Sequence, residues 1–178
     1  MDKLKHKTLP KIDNSWVQLI ALALFFSAFF YVRLGLGDLW VYFHNPDGVF
    51  FIFILQIIYY IGIVGFHFYA IKLLYDLKNN AVPVTKMLLA SIFITNFIEG
   101  AFIYITYEWT QQLPNVFLSI IYSIGMFLFM TFSKNIKSVF PINKRKSFWY
   151  DKTVFAVILL IFIFLYSLAF LIYFIIYA

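Results

Sequence analysis

The sequence predicts an all-α integral membrane protein, a polytopic bundle of five transmembrane helices, and two observations carry that prediction. Of the 178 residues, 63% are hydrophobic and only 12% are charged, and the mean hydropathy is +0.88. Soluble domains are about 45–50% apolar, and a soluble chain of this size has too little interior to bury so much apolar surface. The apolar residues also fall into five runs, each near or above the length of about 20 residues that crosses a bilayer.

The first two predicted spans cover residues 16–36 and 49–75. The first follows Asn14 and Ser15, which are residue types that cap helix N-termini. The second follows the turn signal NPDG at positions 45–48. The two runs are therefore expected to be separate helices joined by a short connection.

The other three predicted spans cover residues 84–107, 116–132 and 153–177. The third begins directly after Pro83, and proline is favoured in the first turn of a helix. The last contains no charge; a four-span alternative would lay it in the interface, but an uninterrupted apolar run of this length favours a crossing. Because it is rich in Phe, Ile and Leu throughout, we expect it at the periphery, facing lipid or another subunit. Residues 1–178 are predicted to form a single transmembrane domain.

The basic residues predict the orientation. Five crossings place thirteen of the fourteen Lys and Arg residues on one side of the membrane and leave only Arg33 toward the other. Cytoplasmic loops collect Lys and Arg, so the N-terminus is expected in the cytoplasm and the C-terminus outside. The net charge of +6 is explained in the same way, without a nucleic-acid partner.

Four polar residues at membrane depth form the main candidate site, a cluster predicted in the outer leaflet. They are Arg33, Gln56, Asn96 and Glu99. A charged group at this depth costs about 2.5–3.5 kcal/mol on the insertion scale, so it usually has a partner or a function. Two interpretations stay open: pairing that holds helices together, or a site for a small polar ligand, an ion or a lipid headgroup.

A secondary polar site is predicted at Tyr60 and His67 in the second span. The alternative is that His67 is a hydrogen-bonded packing residue, and no second ligand stands at the spacing of a metal site. The chain has no Cys, and it contains none of the sequence signatures of metalloproteases, serine hydrolases or phosphate-binding loops. No catalytic residue, metal or cofactor is therefore predicted.

A basic segment precedes the fifth span and is a candidate for contact with anionic lipid headgroups. The residues concerned are Lys134, Lys137, Lys144, Arg145 and Lys146. The alternative is that these charges act only as the signal that sets the orientation.

The end of the fourth span reads FSKNIKSVF at positions 132–140. It resembles the Ser-Lys-x-Val-Lys-x-x-Phe-like ending of a family of small bacterial membrane proteins, domain of unknown function 2569, with Ile136 in place of the usual valine. The basic connection that contains Pro83 is also similar to that family's. The similarity covers residues 10–141. It implies a four-helix unit in the bacterial inner membrane, with the fifth helix as an addition, and no known activity.

These observations predict a small, non-enzymatic membrane protein that is an accessory or structural subunit binding another membrane component. Its partners would be the lipid bilayer and either a membrane protein or further copies of the chain. The alternative is a translocator or binder of a small polar molecule, ion or lipid that uses the Arg33 and Glu99 cluster. A role in toxin immunity or stress response is a third possibility.

Overall fold

The computed structural model describes residues 15–44, 50–107 and 113–177, and every regular element in those ranges is helical. The helices are α1 (Ser15–His44), α2 (Phe50–Tyr75), α3 (Ala81–Tyr107), α4 (Leu113–Phe132), α5 (Lys134–Val139) and α6 (Trp149–Tyr177), with a 3-10 turn at Ile142–Lys144. All of them except α5 are long and apolar enough to cross a membrane, which indicates a multi-pass membrane protein. The prediction of five helices of spanning length is confirmed.

Three helices, α2, α3 and α6, contact one another, and the centre of the bundle lies between them. Helix α1 packs along α2, and α4 packs along α3. On α6, the side chains of Ile158, Phe162 and Leu165 are buried in this centre. The rest of its surface stays outside: α6 is the least buried of the five long helices among the described residues, in agreement with its expected peripheral position. An apolar helix without a polar stripe does not reveal from its sequence which side meets protein and which meets lipid.

The interior and the surface of the bundle are both apolar. Phe66 and Leu88 are almost completely buried, whereas Phe26, Ile61 and Leu160 are each more than 60% exposed. Large aliphatic and aromatic side chains on the outside are what a lipid environment requires, because lipid tails are as apolar as leucine.

Helix α1 continues to His44, eight residues beyond the predicted end at Leu36. The added turns contain Asp38, whose carboxylate is hydrogen-bonded by side chains of α2. One turn earlier, Gly35 lets α1 approach α2 closely, since a Cβ there would lie 3.2 Å from a ring carbon of Tyr60. Close packing and a satisfied carboxylate allow the helix to continue through a stretch that looks like a polar terminus in the sequence.

The turn between α2 and α3 is a Schellman motif built without glycine. Leu77 has a φ of 49°, its N–H donates to the carbonyl of Leu74, and the N–H of Lys78 donates to the carbonyl of Leu73. These two bonds satisfy carbonyl groups that the end of α2 would otherwise leave unpaired. The tight turn brings Asn80 and the start of α3 directly beside the end of α2.

One end of the bundle, here called the basic end, combines the starts of α1 and α6, the α2–α3 turn and α5. The rings of Trp16 and Phe129 lie 5.6 Å apart there, and the backbone N–H of Lys146 donates to the carbonyl of Asn79 at 3.1 Å. Short helix α5 contacts both α1 and α4. Most Lys residues of the described ranges therefore share this end, as the charge pattern predicts.

Candidate functional site

The polar side chains of the bundle gather in three places, and the first lies toward the end opposite the basic end. There, Asp38 of α1 accepts hydrogen bonds from the Gln56 amide and from the Tyr60 hydroxyl, the latter at 2.8 Å. Glu99 of α3 lies near enough to Asp38 for the two carboxyl groups to interact electrostatically. These four residues are called the acidic cluster below, and its hydrogen bonds join α1 to α2.

Arg33 is not part of the acidic cluster. Its side chain is exposed, and no ion pair joins it to Glu99 in the ranges that the structure describes. Arg33 and Asp38 are five positions apart on α1, so at about 100° per residue their side chains leave the helix about 140° apart. The sequence places Arg33 at a suitable depth, but the helix turns it away from α3.

Asn96 belongs to a second, buried network near the middle of the bundle. Its amide donates to the Tyr31 hydroxyl at 3.2 Å and to the Ile92 carbonyl at 2.7 Å. Glu99 follows Asn96 by three residues, about one turn further along α3. The predicted set of four is thus divided: Gln56 and Glu99 are in the acidic cluster, Asn96 is beside it, and Arg33 is outside.

His67 continues the second network and is separate from Tyr60. Its Nδ1 donates to the Ile63 carbonyl at 2.8 Å, and Nε2 lies 3.0 Å from the Ser27 hydroxyl. Because a carbonyl can only accept, Nδ1 carries the proton, and a neutral ring accepts from the serine through Nε2. The ring of Tyr31 is 5.6 Å away. Both nitrogen atoms are satisfied, as expected for a packing residue.

The third polar group is at the basic end, and sequence reasoning missed it. Asp151 of α6 is completely buried and accepts from the Tyr69 hydroxyl at 2.8 Å, from the Asn80 amide at 3.2 Å, and from the backbone N–H of Phe148 at 2.9 Å. An acidic residue in the first turn of a helix was the available sequence signal. Asp151 ties α6 to α2 and to the α2–α3 turn.

The predicted basic segment is placed mostly on the surface of the basic end. Lys134, Lys144 and Lys146 are exposed, and Lys137 is partly buried. Helix α5 holds this segment against the bundle, since Ile136 is buried in the core while its lysines stay outside.

Arg145 differs from these lysines because it turns inward. Its Nε donates to the Phe140 carbonyl at 2.9 Å, and Nη2 is buried without a hydrogen-bond partner among the described residues. Burial lowers the pKa of the guanidinium, but Arg stays protonated in proteins. Arg145 and Lys86 of α3 line the same cavity of about 340 Å³.

This cavity lies on α3 between α4 and α6. Both of these helices pack on α3, but they make few contacts with each other, so a strip of α3 through Pro83, Met87 and Ala90 stays partly exposed. A second cavity of about 250 Å³ follows along α3, and Ala90 and Phe127 line both. The two cavities together are called the α3 groove below. It begins beside two cations at the basic end and becomes wholly apolar farther along, apart from Ser123.

Comparisons with known proteins give no relative: no family model matches the chain, and no curated protein or solved structure is significantly similar to it. The resemblance to domain of unknown function 2569 therefore stays a prediction. Among the described residues, no three His, Asp or Glu side chains are grouped as a metal site would need. The chemistry that the structure offers is an apolar groove with a cationic end and a pair of carboxyl groups.

Proposed function

We propose that this chain is a small, non-enzymatic integral membrane protein that acts by binding another membrane component in the α3 groove. The observation that carries the proposal is the partly exposed strip of α3 between α4 and α6. Helices α4 and α6 both pack on α3 but hardly contact each other, and two adjoining cavities lie along α3 beside them. An uncovered apolar groove in a helix bundle is the usual form of a binding site for a ligand or a partner helix.

The orientation belongs to the same proposal. The basic end would face the cytoplasm of a bacterial cell, in agreement with the excess of Lys and Arg in cytoplasmic loops. The cationic start of the groove would then lie near the cytoplasmic headgroups, and its apolar part would lie within the hydrocarbon layer.

Photocrosslinking tests this proposal. Phe93 lines the apolar part of the groove, whereas Phe164 of α6 is 54% exposed on the outside. Each is replaced in turn by p-benzoylphenylalanine, and the protein is irradiated in its native membrane. The groove position should give one dominant adduct of defined mass, and the Phe164 position should give only a spread of bulk-lipid adducts. Identical adducts from both positions would refute a binding groove.

A second candidate function is supported by the acidic cluster. Asp38 and Glu99 place two carboxyl groups in the same part of the bundle, and neither forms an ion pair with a cationic side chain in the described part of the chain. Charged groups at membrane depth that lack a protein counter-ion are typical of ion or polar-solute binding. The cluster could therefore serve a small cation, bound or transported, with Tyr60 and Gln56 orienting Asp38.

Flux measurements separate this second function from a structural role. Proteoliposomes are loaded with a pH-sensitive dye, and proton or potassium flux is measured for Glu99→Gln and for the exposed control Arg33→Gln. Loss of flux in Glu99→Gln alone, with unchanged melting temperature, supports transport. No flux from the unmodified protein, or a Glu99→Gln variant that unfolds, would leave the cluster as a contact between helices.

A further inference from the structure

The two cations at the start of the α3 groove lack a negative partner within the protein. Neither Lys86 nor Arg145 forms an ion pair in the described ranges, and Lys86 also experiences the positive charges of Arg145 and Lys137. Like charges that line one open cavity create a positive potential there, which favours an anion. The unpartnered Nη2 of Arg145 leaves the guanidinium with donor capacity to spare.

The walls of the cavity restrict the kind of anion that fits. Its lining is mainly apolar, and the residues are Val82, Met87, Ala90, Phe127 and Phe155 in addition to the two cations and Pro83. Lys86 is also held over the Phe127 ring, with Nζ 5.1 Å from the ring centroid. A free phosphate would gain nothing from such walls, since burying a charged group beside apolar surface is costly unless it is paired.

The groove then continues in the direction that an acyl chain would take. Ala90 and Phe127 line both cavities, Leu89 and Leu128 are adjacent to them, and Phe93 and Ile124 lie about one turn farther from the basic end. A ligand with an anionic head and a long apolar tail would thus place each part against matching side chains. A phospholipid has this form, and the cationic end is at the basic end of the bundle, where headgroups of the cytoplasmic leaflet would be.

We infer that the α3 groove binds an anionic phospholipid, with its phosphate at Lys86 and Arg145 and one acyl chain along α3 past Phe93. This inference rests on the proposed function, because it names the membrane component that the groove holds. It divides the basic residues into two kinds: Lys86 and Arg145 bind the headgroup, whereas Lys144 and Lys146 contribute only to the general surface charge.

Native mass spectrometry of the purified full chain in detergent tests the inference, with phosphatidylglycerol and phosphatidylcholine as the lipid probes. Lys86→Gln and Arg145→Gln should each weaken phosphatidylglycerol binding about fivefold to tenfold. The matched controls Lys144→Gln and Lys146→Gln, which remove the same charge from exposed positions, should change it less than twofold. Lys86→Arg and Arg145→Lys keep the charge and should restore most of the binding, which excludes misfolding as the cause.

Three results would overturn the inference. Equal weakening by all four glutamine variants would show diffuse surface attraction, and equal binding of the two lipids would show that the cations do not select the headgroup. Competition by glycerol phosphate at the concentration of the lipid would show a phosphate site that ignores the apolar groove. If the crosslink at Phe93 instead yields a defined polypeptide, the proposed function stands and the phospholipid is wrong.

Discussion

Removal of the Asp151 carboxylate should destabilise the bundle strongly, although Asp151 lies near one end of its helix. The side chain is fully buried and accepts from Tyr69, Asn80 and the backbone of Phe148. It joins the first turn of α6 to α2 and to the α2–α3 turn. In Asp151→Ala, three donors lose their common acceptor at once.

The magnitude follows from these three bonds. A hydrogen bond to a charged acceptor contributes about 1.5–3 kcal/mol, and a donor left unsatisfied in the interior costs a similar amount. Water can reach part of this end, because Tyr69 is only partly buried and Phe148 is exposed, so each lost bond is discounted to about 1 kcal/mol. We therefore expect Asp151→Ala to lower the free energy of unfolding by about 3 kcal/mol. Asp151→Asn should lower it by about 2 kcal/mol, since an amide keeps one oxygen acceptor.

The free energy of unfolding can be measured by SDS titration in mixed micelles, followed by circular dichroism. Asp76→Ala is the matched control, because Asp76 is an exposed acidic residue in the turn at the same end of the bundle. It should change the stability by less than about 0.5 kcal/mol. In a double-mutant cycle, Tyr69→Phe should cost much less in the Asp151→Ala background than in the unmodified protein.

Two results would refute this reasoning. If Asp151→Ala and Asp76→Ala have the same free energy of unfolding within error, the three bonds do not stabilise the bundle. If the effects of Asp151→Ala and Tyr69→Phe simply add, the hydroxyl does not depend on the carboxylate, and the connection between α2 and α6 must lie elsewhere.

Three further predictions concern the packing of α1 and α2 and the turn after α2. Gly37→Ala should stabilise the protein by about 0.5–1 kcal/mol, because alanine has the higher helix propensity and its Cβ meets no neighbour. Gly35→Ala should lose that gain, because its Cβ would press against the Tyr60 ring. Equal free energies of unfolding for the two variants would contradict this. His67→Leu should cost about 1–2 kcal/mol, because the Ser27 hydroxyl loses its imidazole partner. Ser27→Ala should cost less in the His67→Leu background, and additive losses would exclude this hydrogen bond. Leu77→Gly should be neutral or stabilising, because glycine adopts a φ of 49° without strain. Leu77→Val should cost about 1 kcal/mol, because a β-branched residue is strained at this φ. Equal melting temperatures of the two variants would contradict the Schellman turn.

The number and type of the helices could be predicted from the sequence, because membrane crossing depends on hydrophobicity summed over consecutive residues. Each span needs enough consecutive apolar residues, and each boundary has a local signal such as Pro83. The end of α1 was missed because Asp38 looks like a polar stop when read alone. Its hydrogen bonds come from α2, which a local reading does not include.

The arrangement of the polar residues was only partly predictable, because depth along a helix and direction around it are different quantities. Depth alone grouped Arg33 with Glu99, yet α1 directs Arg33 away from α3. The α3 groove depends on which helices fail to touch, namely α4 and α6. In a chain where nearly every face is apolar, the sequence does not distinguish protein contacts from lipid contacts.

We propose that the α3 groove holds another membrane component. Native mass spectrometry of the chain, expressed at its endogenous level and extracted with its surrounding lipid, tests this claim. We expect a component that is retained in fixed stoichiometry and is lost in Ala90→Trp, because the tryptophan fills the region shared by both cavities. Leu160→Trp, on the exposed side of α6, should retain it. A bare chain, or a component that survives Ala90→Trp unchanged, would contradict the claim.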